Sequence, residues 1–280
     1  MKLYKNYRKI STIMYRKIFK RIIFICVVFF IFSCETEESK PTEQNSGKLK
    51  VFFSHRVGND SLRKNLMIYQ NEAGNQYEVN EIKYFISDFI LYPHNSNPIS
   101  INKWKVIHYV DIDIPSTLIW DVYDKIPIGK YDSVSFIFGL TEFRNQSFMF
   151  VNPPEVNMFW PEILGGGYHY MMINGKWKTI NNQIKAFNCH LGIGQIYSGT
   201  TTSTDSITGY VQNYFKVSLS TPELQILKSE ITNLKLNMDV KSWFTTPNIY
   251  NHDIWGGDIM QKQDAMQAIK ENGFDVFSLQ

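Results

Sequence analysis

Cysteine is scarce in this chain: three in 280 residues, at Cys26, Cys34 and Cys189. Long apolar runs are missing too. The best, Ile22 to Phe32, is too short for a permanent transmembrane helix, which needs about 20 residues. No Gly-x-Ser-x-Gly elbow is present, so serine-hydrolase chemistry of that type has no nucleophile to rest on. Histidine is limited to six residues, and no two have the His-x-His or His-x3-His spacing of a local metal motif. Any imidazole site must therefore be assembled by the fold from distant segments.

The charge that is present sits at one end. Residues 1–21 hold eight Lys/Arg and no acid, and the apolar run follows directly. A basic segment, a short apolar segment and a small residue before the break describe an export signal. The break reads Ile31-Phe32-Ser33-Cys34, which resembles a bacterial lipobox and makes Cys34 the expected acylation site. The expected organisation is a signal peptide at 1–33, a lipidated Cys with a flexible tether at 34–47, and one folded domain at 48–280. The tether follows from composition: Glu35 to Gly47 holds four Glu and one Pro. Without residues 1–33 the chain carries 21 basic and 26 acidic groups, a net −5. The basic pI belongs to the signal, and no Lys/Arg cluster in the remainder suggests phosphate tracking, so a nucleic-acid partner is not expected. With Cys26 and Cys34 accounted for, Cys189 has no disulfide partner, and the domain must be held by its core.

The rest of the chain alternates with period two. Leu49, Val51, Phe53, His55 and Val57 share one strand face, and Leu234, Leu236, Met238 and Val240 another. Glu81–Tyr92 has little polarity on either face and reads as a doubly buried strand. Trp104–Ile112, Tyr131–Leu140, Gly167–Ile173, Ile184–Leu191 and Tyr210–Leu219 are further strands by the same reading. Asn174-Gly175 is a hairpin-turn signal. One helix is expected near the C-terminus, capped by Asp258, striped by Ile259, Met266 and Ile269, and ended at Asn272-Gly273 by a left-handed glycine. The expected fold is all-β, an antiparallel β-sandwich with long loops and a short C-terminal helix.

Four histidines are candidate ligands. His55 sits on an apolar strand face, where an imidazole needs a hydrogen-bond partner or a metal. His169 follows Gly165-Gly166-Gly167 and points away from Tyr168 and Tyr170. His190 alternates with Cys189 and Leu191. His252 lies in a loop before the helix. His94 reads as a loop tip and His108 as strand filler. Imidazoles favour copper or zinc, and a nearby thioether favours Cu(I); Met158, Met171 and Met172 lie close in sequence to His169. Asp253 and Asp258 offer oxygens to calcium without the spacing of a dedicated loop.

The ordered set of motifs resembles the MbnP-like copper-binding domain family. The matching pieces are Val51-Phe52-Phe53-Ser54-His55, Val79–Leu91, Phe138-Gly139-Leu140, Met158-Phe159-Trp160 with Gly167-Tyr168, Asn174-Gly175-Lys176-Trp177, His190-Leu191-Gly192 and Asn251-His252-Asp253. The resemblance implies a β-sandwich of the bacterial envelope, with copper held by imidazoles in at least some members. The lipobox adds a lipid anchor, and the acidic residues after Cys34, which resemble surface-export signals of Bacteroidetes lipoproteins, point to the outer membrane or cell surface, with a periplasmic face as the alternative. The resemblance further implies a tryptophan near the copper that a di-haem peroxidase-type partner oxidises, and Trp160 is the matching residue. Pro161-Glu162-Ile163-Leu164 departs from the family pattern, where a second Trp and a shorter link to Gly-Tyr are common. The expected ligands are His55, His190 and His252, with His169 fourth, and no catalytic residue is expected. The alternative is a metal-free surface module for sugar or protein, with scattered histidines.

Overall fold

The computed structural model describes residues 45–280 apart from residue 104, with backbone alone at 222–223. The expected signal peptide, the acylation site Cys34 and all but the last three residues of the tether lie outside the described residues. Strand β1 (Ser46–Val57) already begins at residue 46. It is followed by β2 (Asp60–Ser61), β3 (Tyr69–Gln70), β4 (Gln76–Pro93), β5 (Ile99–Ser100), β6 (Ile107–Asp111), β7 (Ile119–Pro127) and β8 (Gly129–Phe138). Then come β9 (Met171–Lys178), β10 (Ile184–Leu191), β11 (Gly194–Tyr197), β12 (Ile207–Val211), β13 (Phe215–Ile226), β14 (Ile231–Asp239) and β15 (Phe277–Leu279). A helix, α1 (Gln263–Asn272), precedes β15. No helix among the described residues is long and apolar enough to cross a membrane.

Two sheets form the sandwich. The smaller has the order β15-β14-β1-β2, with β7 also on β1; the larger has the order β10-β9-β4-β8-β13, with β3, β5 and β6 also on β4. The pairs are antiparallel except β1 with β14, which run parallel with Val51 opposite Leu234. The main core lies between the sheets. It takes Leu49, Val51 and Phe53 from β1, Tyr84 and Ile86 from β4, Phe136 and Phe138 from β8, and Leu236 and Met238 from β14. Burial of each such side chain stabilises the fold by about 1.5–3 kcal/mol.

β4 is buried on both faces, as its low polarity predicts. Its second face meets a smaller apolar cluster of Phe85, Tyr109, Leu140, Met158, Tyr168, Tyr170 and Ile193. Most of that cluster comes from the segment between β8 and β9, which folds back over the larger sheet. This second layer positions the site.

Four local expectations are corrected. Asn174-Gly175 is not a turn; it lies inside β9, and the hairpin to β10 turns at Thr179–Gln183, with Asn182 at φ 60. Glycine is needed at 175 for close approach, since an added Cβ would overlap the Glu78 carbonyl and stand 2.6 Å from the Phe187 ring. The helix begins at Gln263 without a side-chain cap, and Asp258 instead bridges to Asn188. Gly273 is right-handed, at φ −66, because the chain continues into a 3-10 turn (Gly273–Asp275). The expected strand at 167–173 is regular only from Met171; Tyr168 makes an isolated bridge to Phe159.

Candidate metal centre

Trp160 and His169 are brought together by a tight loop. Trp160 N–H donates to the Gly167 carbonyl at 2.9 Å, and His169 N–H donates to the Met158 carbonyl at 2.6 Å. Between them runs a 3-10 turn (Glu162–Leu164), followed by Gly165, Gly166 and Gly167, all at positive φ. The Trp160 indole is fully buried, its Nε1–H donates to the Leu164 carbonyl at 3.2 Å, and its ring centre lies 4.7 Å from that of His169, edge to face.

His190 arrives from β10. Its ring centre is 4.9 Å from His169 with the planes nearly perpendicular, at 88°. Two residues on, Gly192 leaves room for the Trp160 indole, which would stand 2.6 Å from a Cβ at that position. The His190-Leu191-Gly192 motif thus supplies one imidazole and the surface on which the tryptophan rests.

Each imidazole is held by one nitrogen and open at the other. His169 Nδ1 lies 2.9 Å from the Met158 carbonyl, an acceptor only, so Nδ1 carries the proton and Nε2 bears a lone pair. His190 Nε2 lies 2.8 Å from Asn174 Oδ1, so Nε2 carries the proton and Nδ1 is bare. His169 Nε2 and His190 Nδ1 are both buried and without a hydrogen-bond partner. Burial lowers the His169 pKa from 6.5 to about 4, offset in part by the Met158 and Phe159 backbone and by Asp258. Burial, then His169 and Lys83, lowers His190 to about 3. Both rings are neutral at pH 7, as metal ligands must be.

The other two expected ligands lie elsewhere. His55 is half-buried, its Nε2 3.2 Å from the hydroxyl of Tyr84, a residue of the main core. His252 is enclosed by Phe187, Phe244, Tyr250 and Trp177, with ring centres 4.5, 5.1, 5.1 and 5.7 Å away. Phe187 and His190 have opposite parity on β10, so His252 packs on one face of the strand while His190 points from the other. His190 therefore joins the fourth candidate, His169, and not His55 or His252. Among the described residues no group of three or more His, Cys, Asp or Glu side chains is placed to hold a metal. His108 stacks between Phe53 and Trp120, and exposed His94 meets Asp132 at 3.0 Å.

Both His252 nitrogens are buried without partners. An apolar residue of similar size removes that penalty, so His252→Leu is expected to stabilise the fold by about 1 kcal/mol, the low end of the cost of an unsatisfied buried group. Urea unfolding at pH 7 measures it; a clear loss of stability would mean that the ring has a partner in solution.

Sequence reasoning missed Asn174, the partner of His190. Its signal was a short amide directly after the apolar run Met171-Met172-Ile173, where intrinsic strand preference is poor. A soft donor also stands near the pair. Met172 is the direct cross-strand neighbour of His190, half-buried against the second core.

These features define a class: an all-β domain presenting two buried, neutral, half-open imidazoles beside a buried tryptophan. The chain belongs to the MbnP family, whose sequence profile matches residues 46–261, every strand but β15. Among solved structures it is similar to MbnP from Methylosinus trichosporium, at 13% identity and a TM-score of 0.46, covering 70% of this chain and 77% of that one. A search of curated proteins finds no match.

Proposed function

We propose that this chain is a non-enzymatic envelope lipoprotein that holds copper, as Cu(I), between His169 Nε2 and His190 Nδ1. The observation that carries this reading is the pair of adjacent rings, each with a fixed tautomer and one buried nitrogen that has no protein partner. Leaving one such group unsatisfied costs about 1–3 kcal/mol, and a shared metal relieves both. The two bare nitrogens bring no charge of their own, which suits a monovalent ion better than a divalent one. Zinc favours four ligands and calcium six to eight oxygens, and this donor set supplies neither. The Met172 thioether, one strand away from His190, adds the soft donor that Cu(I) prefers. The anchor at Cys34 and the outer-membrane or surface location rest on the N-terminal sequence. Trp160 stands beside His169, where the family resemblance implies an oxidisable tryptophan and a di-haem peroxidase-type partner.

Anaerobic competition of the purified protein against a chromophoric Cu(I) chelator tests the reading. His169→Ala and His190→Ala are each expected to weaken binding roughly 100-fold, the upper end of what even indirect support of a ligand contributes. His55→Ala is expected to bind like wild type. Wild-type affinity in the His169→Ala/His190→Ala double variant would sink the assignment and leave the metal-free surface module in its place.

A further inference from the structure

The second face of the larger sheet carries a polar row that the metal reading does not itself use. Four strands contribute to it. His190 on β10 faces Met172 on β9, which faces Lys83 on β4, which faces Asp111 on β6. One pair further along, Asn188 faces Asn174, which faces Glu81. Directly opposed residues share a face, and the polar ones here are joined. His190 Nε2 meets Asn174 Oδ1 at 2.8 Å, and Asn174 Nδ2 donates to Glu81 Oε2 at 2.5 Å. Glu81 Oε1 pairs with Lys83 Nζ, which also lies 4.0 Å from Asp111 Oδ2, and Asp111 accepts from the Tyr109 hydroxyl at 2.9 Å.

The row has a direction, set by groups with a single hydrogen-bonding role. The Lys83 ammonium only donates, and the Glu81 carboxylate only accepts. The Asn174 amide must therefore turn its NH2 to Glu81 and its oxygen to His190. An amide oxygen opposite Nε2 requires the proton on Nε2, which leaves Nδ1 bare. His190 is buried, and its Nε2 partner is a side chain on the adjacent strand.

We propose that Asn174, oriented by the Glu81–Lys83 pair, is the positioning residue that sets the His190 tautomer and keeps Nδ1 available to a metal. The proposal rests on reading His169 and His190 as the ligand pair, but its first consequence belongs to the metal-free protein. The Glu81→Gln variant should reverse the row. Lys83 holds the oxygen of the new amide at position 81, so the NH2 of that amide faces Asn174. Asn174 then turns its oxygen to position 81 and its NH2 to His190, which moves the imidazole proton to Nδ1. The Glu81→Gln/Asn174→Asp pair should restore it. The amide at position 81 then donates to the new carboxylate at position 174, which accepts from His190 Nε2, and the row's charge is unchanged.

Long-range 1H–15N spectra of the metal-free chain read the tautomer directly. Wild type and the double variant are expected to show the proton on Nε2, and Glu81→Gln the proton on Nδ1. Cu(I) affinity is expected to fall about 10- to 100-fold in Glu81→Gln, the range for lost ligand support, and to recover in the double variant. A purely structural role would weaken both variants alike and leave the tautomer on Nε2. An unchanged His190 spectrum in Glu81→Gln overturns the proposal, as does a reversed tautomer with unchanged affinity. Should wild type bind no Cu(I), the metal reading fails, and the metal-free spectra still decide whether Asn174 and Glu81 set the tautomer.

Discussion

Acidified from neutral pH, the domain should unfold cooperatively at about pH 5, taking up about five protons as it does so. Burial holds His55, His108 and His169 at about 4, and His190 and His252 at about 3. In the unfolded chain each returns to 6.5. Above pH 6.5 neither state binds these protons, and the groups contribute nothing to the pH dependence. Between 6.5 and about 4 only the unfolded chain binds them, so stability falls as pH falls, by up to about 1.4 kcal/mol per pH unit for each group. Five groups acting together approach about 7 kcal/mol per unit, against a typical domain stability of about 5–15 kcal/mol. The transition should therefore come within the histidine range, above that of ordinary carboxylates. Urea melts at a series of pH values measure the slope directly. Stability flat from pH 7 to 5 would show that these rings are hydrated in the folded state.

The second large effect is at Gly175. Substitution by Ala is expected to cost about 3 kcal/mol or more, at or beyond the upper end for an overpacked core. The new Cβ would meet the Glu78 carbonyl, which belongs to the β4–β9 ladder, and the Phe187 ring at 2.6 Å. The ladder cannot yield without breaking the register, and Phe187 cannot move without displacing His252, whose ring centre is 4.5 Å away. A flexible side chain would absorb such a contact cheaply; a carbonyl in a central pair does not. Gly199→Ala, with nothing within 4 Å of its Cβ, is the matched control. Equal thermal midpoints for the two variants would mean that β9 and β4 part more easily than their packing indicates.

The same glycine shows what the amino-acid order conveys about this fold and what it conceals. Alternation along Leu49–Val57 and Leu234–Val240 is visible because one face of each strand meets the core between the sheets. Asn-Gly carries the chemistry of a turn, yet here each residue serves a neighbour brought in from elsewhere. Gly175 admits the Glu78 carbonyl and Phe187, while Asn174 bonds His190 and Glu81. Local preference cannot register partners nearly a hundred residues away. The site was partly legible for the same reason. Trp160 and His190 each stand in a recognisable motif and His169 directly follows one, but their grouping depends on a loop folding over the second face of the sheet. His252 sits in its own motif too, and strand parity alone sends it to the opposite side of β10. The parallel pairing of β1 with β14 was likewise invisible, since period two is common to both pairing directions.

Strand parity has a further consequence, for Cys189. It is adjacent in sequence to His190, yet its side chain lies in the main core, with the thiol pushed well above its ordinary pKa by burial. Thiolates reduce Cu(II) and bind Cu(I) avidly, and one within reach would compete with two imidazoles for the ion. Here the thickness of one β-strand separates the two chemistries. A copper ion on His190 Nδ1 would lie on the second face of the sheet, while the only free cysteine among the described residues faces Ile173 and the core. The sheet acts as a wall between a soft thiol and the ion for which it would otherwise compete, so alkylating reagents and copper should each leave Cys189 untouched until the domain unfolds.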